Sequence, residues 1–211
     1  MPKIVDHDQR REEIALVACH VIATYGFEQT TVARIAQAAG YTTGMVAHYF
    51  DNKQEIILAA LRLILHRMER RLTRSVPATE SNLLEVLSVA LPIDAPRRTE
   101  CAFWVSFWGQ VPADARLKRL NSSVHREYLR LYEKCIVDHW PEARRWPPTV
   151  RRRALQSITA FINGITASAV SSPTDWPARE QVRQLRLQLD LVRAWASQPA
   201  RSSPHELASG T

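Results

Sequence analysis

The segment TTVARIAQAAGYTTGMVAHYFDNK, Thr30 to Lys53, decides the fold. It reads as two short helices about a tight turn. Thr30 or Thr31 can cap the first, because a hydroxyl ahead of an apolar-periodic run accepts from an otherwise unpaired amide. Val32, Ile35, Ala36 and Ala39 then recur at helical spacing. Gly40 follows, and glycine ends a helix through a left-handed conformation without steric cost. Thr42 can cap a second helix, Thr43 to Phe50, and Asn52 a third, with Glu55 at the capping-box spacing. Helix, glycine turn, helix is the pattern of a helix-turn-helix, whose second helix enters the DNA major groove; many other helical corners share it.

Working outward, residues 9 to 25 read as a helix with Ile14, Val17, Ala18, Val21 and Ile22 on one face, ended by Gly26. It would brace the two-helix motif. Residues 1 to 8 read as a disordered polar arm. A long helix runs from Lys53 to about Ser75, its start in the motif and its end in whatever follows. VPATES reads as a linker, Asn82 to Leu91 as a short helix, and PIDAPRR as the break after it. TECAFWVSFWGQVP places Phe103 and Phe107, and Trp104 and Trp108, one turn apart. Four large rings cover well over half of that helix, which predicts burial on most sides. Further helices are expected over Ala113 to Trp140, Thr149 to Val170 and Ala178 to Ala196, with PEARRWPP and SSPTDWP as loops. From Gln198 onward the composition is that of a disordered tail. The expected class is all-α: a three-helix module over 1–53, a larger helical domain over 54–197 and a tail over 198–211.

The net charge of +7 allows nucleic-acid binding but does not carry it. Within the motif region Lys3, Arg10, Arg11, Arg34 and Lys53 face Asp6, Asp8, Glu12, Glu13, Glu28 and Asp51, so the balance is near zero. Cys19, Cys101 and Cys135 are too few and too far apart for a zinc site or a disulfide framework, and read as buried thiols. No P-loop, G-x-G-x-x-G, G-x-S-x-G or H-E-x-x-H occurs. His20, His48, His66, His125 and His139 have no evident acid or nucleophile partner. The sequence therefore predicts no enzyme, no catalytic or metal-binding residue and no cofactor. Without a signal peptide or an apolar run able to span a bilayer, a cytoplasmic protein with no membrane partner is expected.

AGYTTGMVAHYFDNK resembles the recognition segment of the TetR family of one-component regulators, usually close to A-G-V-S-x-G-x-L-Y-x-H/Y-F-x-x-K. Gly40, Thr42, Gly44, Tyr49, Phe50 and Lys53 fall at matching positions, and the likeness covers about the first fifty-five to sixty-five residues. Tyr41 departs from it where a small aliphatic residue is usual, as does Ala47 where tyrosine is common. The resemblance implies that Thr43, Gly44, Met45, Ala47 and His48 face the groove. It further implies that Thr30, Thr31, Tyr49 and Lys53 point at phosphates, and Thr42 is counted with them among the DNA-binding residues. It also implies a homodimer on a palindromic operator. The interface would lie on the last two large helices, through Leu155, Ile158, Ile162 and Ile165 against Leu185, Leu189 and Val192.

The second half, from AFWVSFWGQVP to EKCI, resembles more loosely the choline-responsive repressors of BetI type. That implies a small organic effector. Aromatic faces bind quaternary ammonium groups, and Trp104, Phe107, Trp108, Tyr128, Tyr132 and Phe161 can supply them, with Glu100, Asp114 or Glu127 as counter-charge. Core filling explains the same rings. The functional expectation is a homodimeric repressor released by its effector, through a push on the far end of the long helix that begins at Lys53. An activator of the same build, or a helical adaptor using the motif for protein contact, are the alternatives.

Overall fold

The computed structural model describes residues 7–74 and 83–198. The N-terminal arm up to residue 6, the linker region 75–82 and the tail from 199 lie outside the described residues. Within them the fold is all helical. The helices are α1 (His7–Tyr25), α2 (Val32–Ala38), α3 (Thr43–Tyr49), α4 (Lys53–Arg74), α5 (Leu83–Ser88), α6 (Ala95–Gln110), α7 (Ala115–His139), α8 (Pro148–Ser171) and α9 (Ala178–Ala196). Short 3-10 turns, Val111–Ala113 and Pro141–Arg145, precede α7 and α8.

The caps expected from sequence form. Thr31 Oγ1 accepts from Arg34 N at 3.1 Å and Thr42 Oγ1 from Met45 N at 3.1 Å. Asn52 Oδ1 accepts from Glu55 N at 3.0 Å, while the Glu55 carboxylate reaches back to Asp51 N at 3.1 Å. Gly40, at φ 72°, closes α2. Its amide donates to Gln37 O at 3.1 Å, and that of Tyr41 to Ala36 O at 2.9 Å, the paired bonds of a Schellman turn. Gly26, at φ 78°, does the same work after α1.

Three apolar cores are threaded by α4. Ile56, in its first turn, completes the core of the reader with Ile14, Ala18 and Val21 of α1, Ile35 and Ala36 of α2, and Val46 of α3. Further along, Ile57, Leu61 and Ile64 join Ala15, Cys19 and Ile22 of α1 against Phe103, Phe107 and Leu117. Its last turns, with Leu65, Met68 and Leu72, enter the large core that α5, α7, α8 and α9 share. α1 is thus apolar on two sides, one toward α2 and α3 and one toward α6.

Several boundaries differ from the sequence reading. α5 stops at Ser88 rather than Leu91. PIDAPRR is only partly a break: Asp94 Oδ1 caps α6 from Arg97 N at 2.9 Å, and Pro96 sits in the first turn, where its missing N–H would have no partner anyway. PEARRWPP holds a 3-10 turn, and Pro148 opens α8. α9 folds back on α8, where Gln188 Nε2 donates to Ser157 Oγ at 2.9 Å.

The stripe expected to form a dimer interface needs correction. Leu155, Ile158, Ile162, Ile165, Leu185, Leu189 and Val192 are all buried inside the chain's own core. What α9 exposes instead is Leu187 (54%), Leu191 (58%) and Trp195 (42%), spaced one helical turn apart. Ser157, Ala160 and Gly164 of α8 are also exposed.

Candidate DNA-reading and effector sites

α3 is pinned by Val46 and by the following Phe50, both buried, which turns the rest of the helix outward. Thr42, Thr43, Gly44, Ala47 and His48 are exposed, and Met45 and Tyr49 half-buried. A Cβ at Gly44 would meet nothing nearer than Thr42 Oγ1 at 4.0 Å, so packing within the chain does not require glycine there. Thr31 is exposed beside this surface at the start of α2.

Two residues expected at phosphates face inward. Thr30 is buried, and its hydroxyl donates to Gly26 O at 2.8 Å, closing the turn after α1. Lys53 Nζ donates to Phe27 O at 2.8 Å and lies 4.5 Å from the centre of the Phe27 ring. Partial burial there lowers the ammonium pKa below the usual lysine value. The other cations of the module are engaged as well. Arg11 Nη1 donates to the carbonyl of Tyr49, its guanidinium 4.2 Å from the Phe50 ring, and Arg34 lies 4.8 Å from the ring of Tyr25. Tyr41, the departure within the turn, has its own partners: its hydroxyl donates to Glu13 Oε2 at 2.9 Å, and Arg10 bonds both. The tyrosine ties the turn to α1 where an aliphatic side chain would only pack.

The second candidate site is a cavity of about 330 Å³ bordered by α4, α6, α7 and α8. Of the six rings proposed from sequence it brings together three, Trp104, Trp108 and Tyr128. The paired turns of α6 diverge. The indoles of Trp104 and Trp108 face the cavity with centroids 5.8 Å apart, whereas Phe103 and Phe107 stack 6.5 Å apart in the core against α1. Contrary to the expectation that they bind the ligand, Phe107 and Tyr132 are fully buried and Phe161 packs on the large core, so these three fill rather than line. Tyr132 meets the cavity indirectly, through a 2.5 Å bond between its hydroxyl and that of Tyr128; burial keeps both phenols protonated.

Among the offered counter-charges, Asp114 caps α7 and Glu127 is exposed; only Glu100 borders the cavity. Its carboxylate, 5% exposed, receives Arg71 Nη2 at 2.5 Å, with Arg67 Nη1 at 3.7 Å. Sequence reading missed Arg71, Arg97, Asn121 and Asn163 on the wall. For Asn163 a signal existed, an amide interrupting the apolar run AFINGITA. Cys101 also borders the cavity, and burial pushes its thiol up to about 12, as it does Cys19 to about 12 and Cys135 to about 11. All three are free, buried and protonated at neutral pH, which suits core thiols. No group of metal-ligating side chains forms among the described residues, and no helix there is long and apolar enough to cross a membrane.

Comparison with known proteins follows the same division of the chain. Residues 14–60 match the family described as bacterial regulatory proteins, tetR family. Residues 79–194 match the BetI-type transcriptional repressor, C-terminal. The HTH-type transcriptional regulator BetI of Paraburkholderia xenovorans is 27% identical over 200 residues, covering 92% of this chain and 98% of its own. Among solved structures, a transcriptional regulator from Rhodococcus sp. Rha1 is similar with a TM-score of 0.75 at 21% identity, covering 90% of this chain and 98% of that one. A transcriptional regulator from Saccharomonospora viridis, solved in complex with choline, gives 0.70 at 16% identity over 87% and 96%. At these identities the structural likeness speaks for the fold.

Proposed function

The chain belongs to the tetR family of bacterial regulatory proteins, with a C-terminal domain of BetI type, and on that premise we propose a homodimeric repressor that a small organic effector releases from a palindromic operator. The observation that carries this reading is the path of α4. Its first turn completes the core of the reader, and its later turns carry Ile64, Met68 and Arg71 to the cavity wall. Filling the cavity therefore acts on a helix that the DNA-reading module cannot ignore.

On DNA, Thr43 and His48 supply donors and acceptors for base edges, and Met45 and Ala47 supply apolar contact for a thymine methyl. Gly44, free of any packing duty, lets the backbone approach closely. Thr31 and Thr42 keep hydroxyl protons to offer phosphates while their oxygens cap helices, and Tyr49 adds a phenol beside them. His48→Ala is expected to relax choice at one base pair, losing about 1–3 kcal/mol of discrimination. Lys53→Ala, by contrast, is expected to lower thermal stability and leave the salt dependence of binding unchanged, because its ammonium is held by Phe27 O. Electrophoretic titration over a salt series checks both. A salt slope smaller by about one unit in the Lys53 variant would return that lysine to the phosphates.

One short reading helix contacts few bases, and two-fold pairing doubles the site. The exposed face of Leu187, Leu191 and Trp195, beside the small residues of α8, suits that pairing. The reading as a whole is tested by incubating the purified protein with fragmented DNA of its source genome. Retention of fragments sharing a palindrome is expected; retention of none would favour a protein-binding adaptor. Deleting the gene should raise a reporter driven by such a fragment, and a fall would make the protein an activator. Trp108→Ala should keep operator affinity and lose release by the effector. Intact release in that variant would move the pocket elsewhere.

A further inference from the structure

The wall of the cavity restricts what can occupy it, provided that the cavity is the effector site proposed above. Its charges already face one another. Glu100 is the one carboxylate on the wall among the described residues, and Arg71 grips both its oxygens, at 3.3 and 2.5 Å. Arg97 is held by Asp94 through Nε at 2.8 Å and Nη2 at 2.6 Å, and its Nη1 donates to Ser88 O at 3.4 Å. A cation entering here would have to displace a guanidinium, and an anion a carboxylate. Exchange at Glu100 disturbs a desolvated charge, its side chain being 7% exposed.

The wall groups without a partner include the imidazole of His125, which is exposed to solvent, and two neutral amides. Among the described residues neither the Asn121 amide on α7 nor the Asn163 amide on α8 has a hydrogen-bond partner, and both border the cavity. Each offers an acceptor oxygen and two donor hydrogens. Ile64, Met68 and Val124 border the cavity beside them. The two indoles, 5.8 Å apart and tilted by 35°, lean on each other and make one continuous apolar wall. Tyr128 of α7 is the third ring on the wall, its hydroxyl bonded to that of Tyr132.

We propose that the effector is an uncharged molecule: an apolar body lies on Trp104 and Trp108, and a neutral head such as an amide, lactone or alcohol bonds to Asn121 and Asn163. Four compounds on one phenylalkyl skeleton test this by calorimetry on the full chain: 4-phenylbutyramide, 4-phenylbutyrate, 4-phenylbutylammonium and butylbenzene. The amide is expected to bind roughly tenfold tighter than each of the others, the size of one or two neutral hydrogen bonds. Asn163→Leu should bring the amide down to the level of butylbenzene while butylbenzene itself still binds, which also shows that the variant is folded. Tighter binding of the ammonium or the carboxylate overturns the proposal, and so does an amide no better than the hydrocarbon; in both cases the cavity stands as a ligand site. Failure of all four to bind overturns the effector reading of the cavity, and the neutral-ligand proposal with it.

Discussion

Replacing Leu187 and Leu191 together by glutamate is expected to give a folded monomer that binds a palindromic operator about 100- to 1,000-fold more weakly. Both leucines are more than half exposed on α9, so the carboxylates meet water in the single chain and cost its fold little. In a two-fold contact the same patch faces its own copy, and four carboxylates would be brought together on an apolar surface. Losing the partner turns the second half-site from an intramolecular event into a separate encounter, and avidity of that kind is commonly worth a factor of about 10² to 10⁴. Sedimentation velocity and operator titration read the two effects, and a thermal melt shows that the chain still folds. The inward-facing positions of α8 and α9 behave differently. Leu189 and Ile162 are buried in the chain's own core, so an aspartate there would unfold the chain rather than divide a dimer. A double glutamate variant that still sediments as a dimer would move the contact off this face of α9.

Phe107→Ala is expected to cost about 3–5 kcal/mol, because the side chain is fully buried and its surroundings belong to three different helices. For a chain of this length that lowers the melting midpoint by roughly 10 °C. The ring stacks on Phe103 and fills the space between α6 and the side of α1 that carries Ala15, Cys19 and Ile22. Its loss therefore loosens the reader from the helix that carries the two cavity tryptophans. Operator binding should weaken with stability, whereas Trp108→Ala, about 100° further around α6 and on the cavity wall, should leave it intact. A calorimetric or circular-dichroism melt decides; a shift of only a degree or two would mean that α1 and α6 are held by something other than this core.

The reader was legible because its signals are local. Thr31, Gly40, Thr42 and Asn52 each fix a helix end by a bond to a residue three or four positions away, and all four bonds form. What was not legible depends on partners far along the chain. In α9, leucines at 185, 187, 189 and 191 populate two sides of the helix, and periodicity alone does not say which side meets its own chain. The result was a dimer stripe placed on the inward side. Four rings on α6 correctly predicted burial on most sides, but not that the indoles would border a cavity while the phenylalanines filled a core. Lys53 lies at the family position for a phosphate contact, yet its partner is a carbonyl 26 residues upstream, which no local rule identifies.

That engaged lysine is one of four. Lys53, Arg10, Arg11 and Arg34, the described cations of the reading module, are each bound to a carbonyl, a carboxylate or an aromatic face of the module itself. Affinity for DNA of arbitrary sequence comes almost wholly from cations neutralising phosphates. A chromosome offers roughly 10⁶ to 10⁹ such competing positions. With the described cations of the module so engaged, weak retention at such positions is expected, and titration against DNA lacking the operator measures it. A small number of molecules per cell can then suffice to keep an operator occupied, and the level needed is insensitive to how much DNA the cell contains as it replicates.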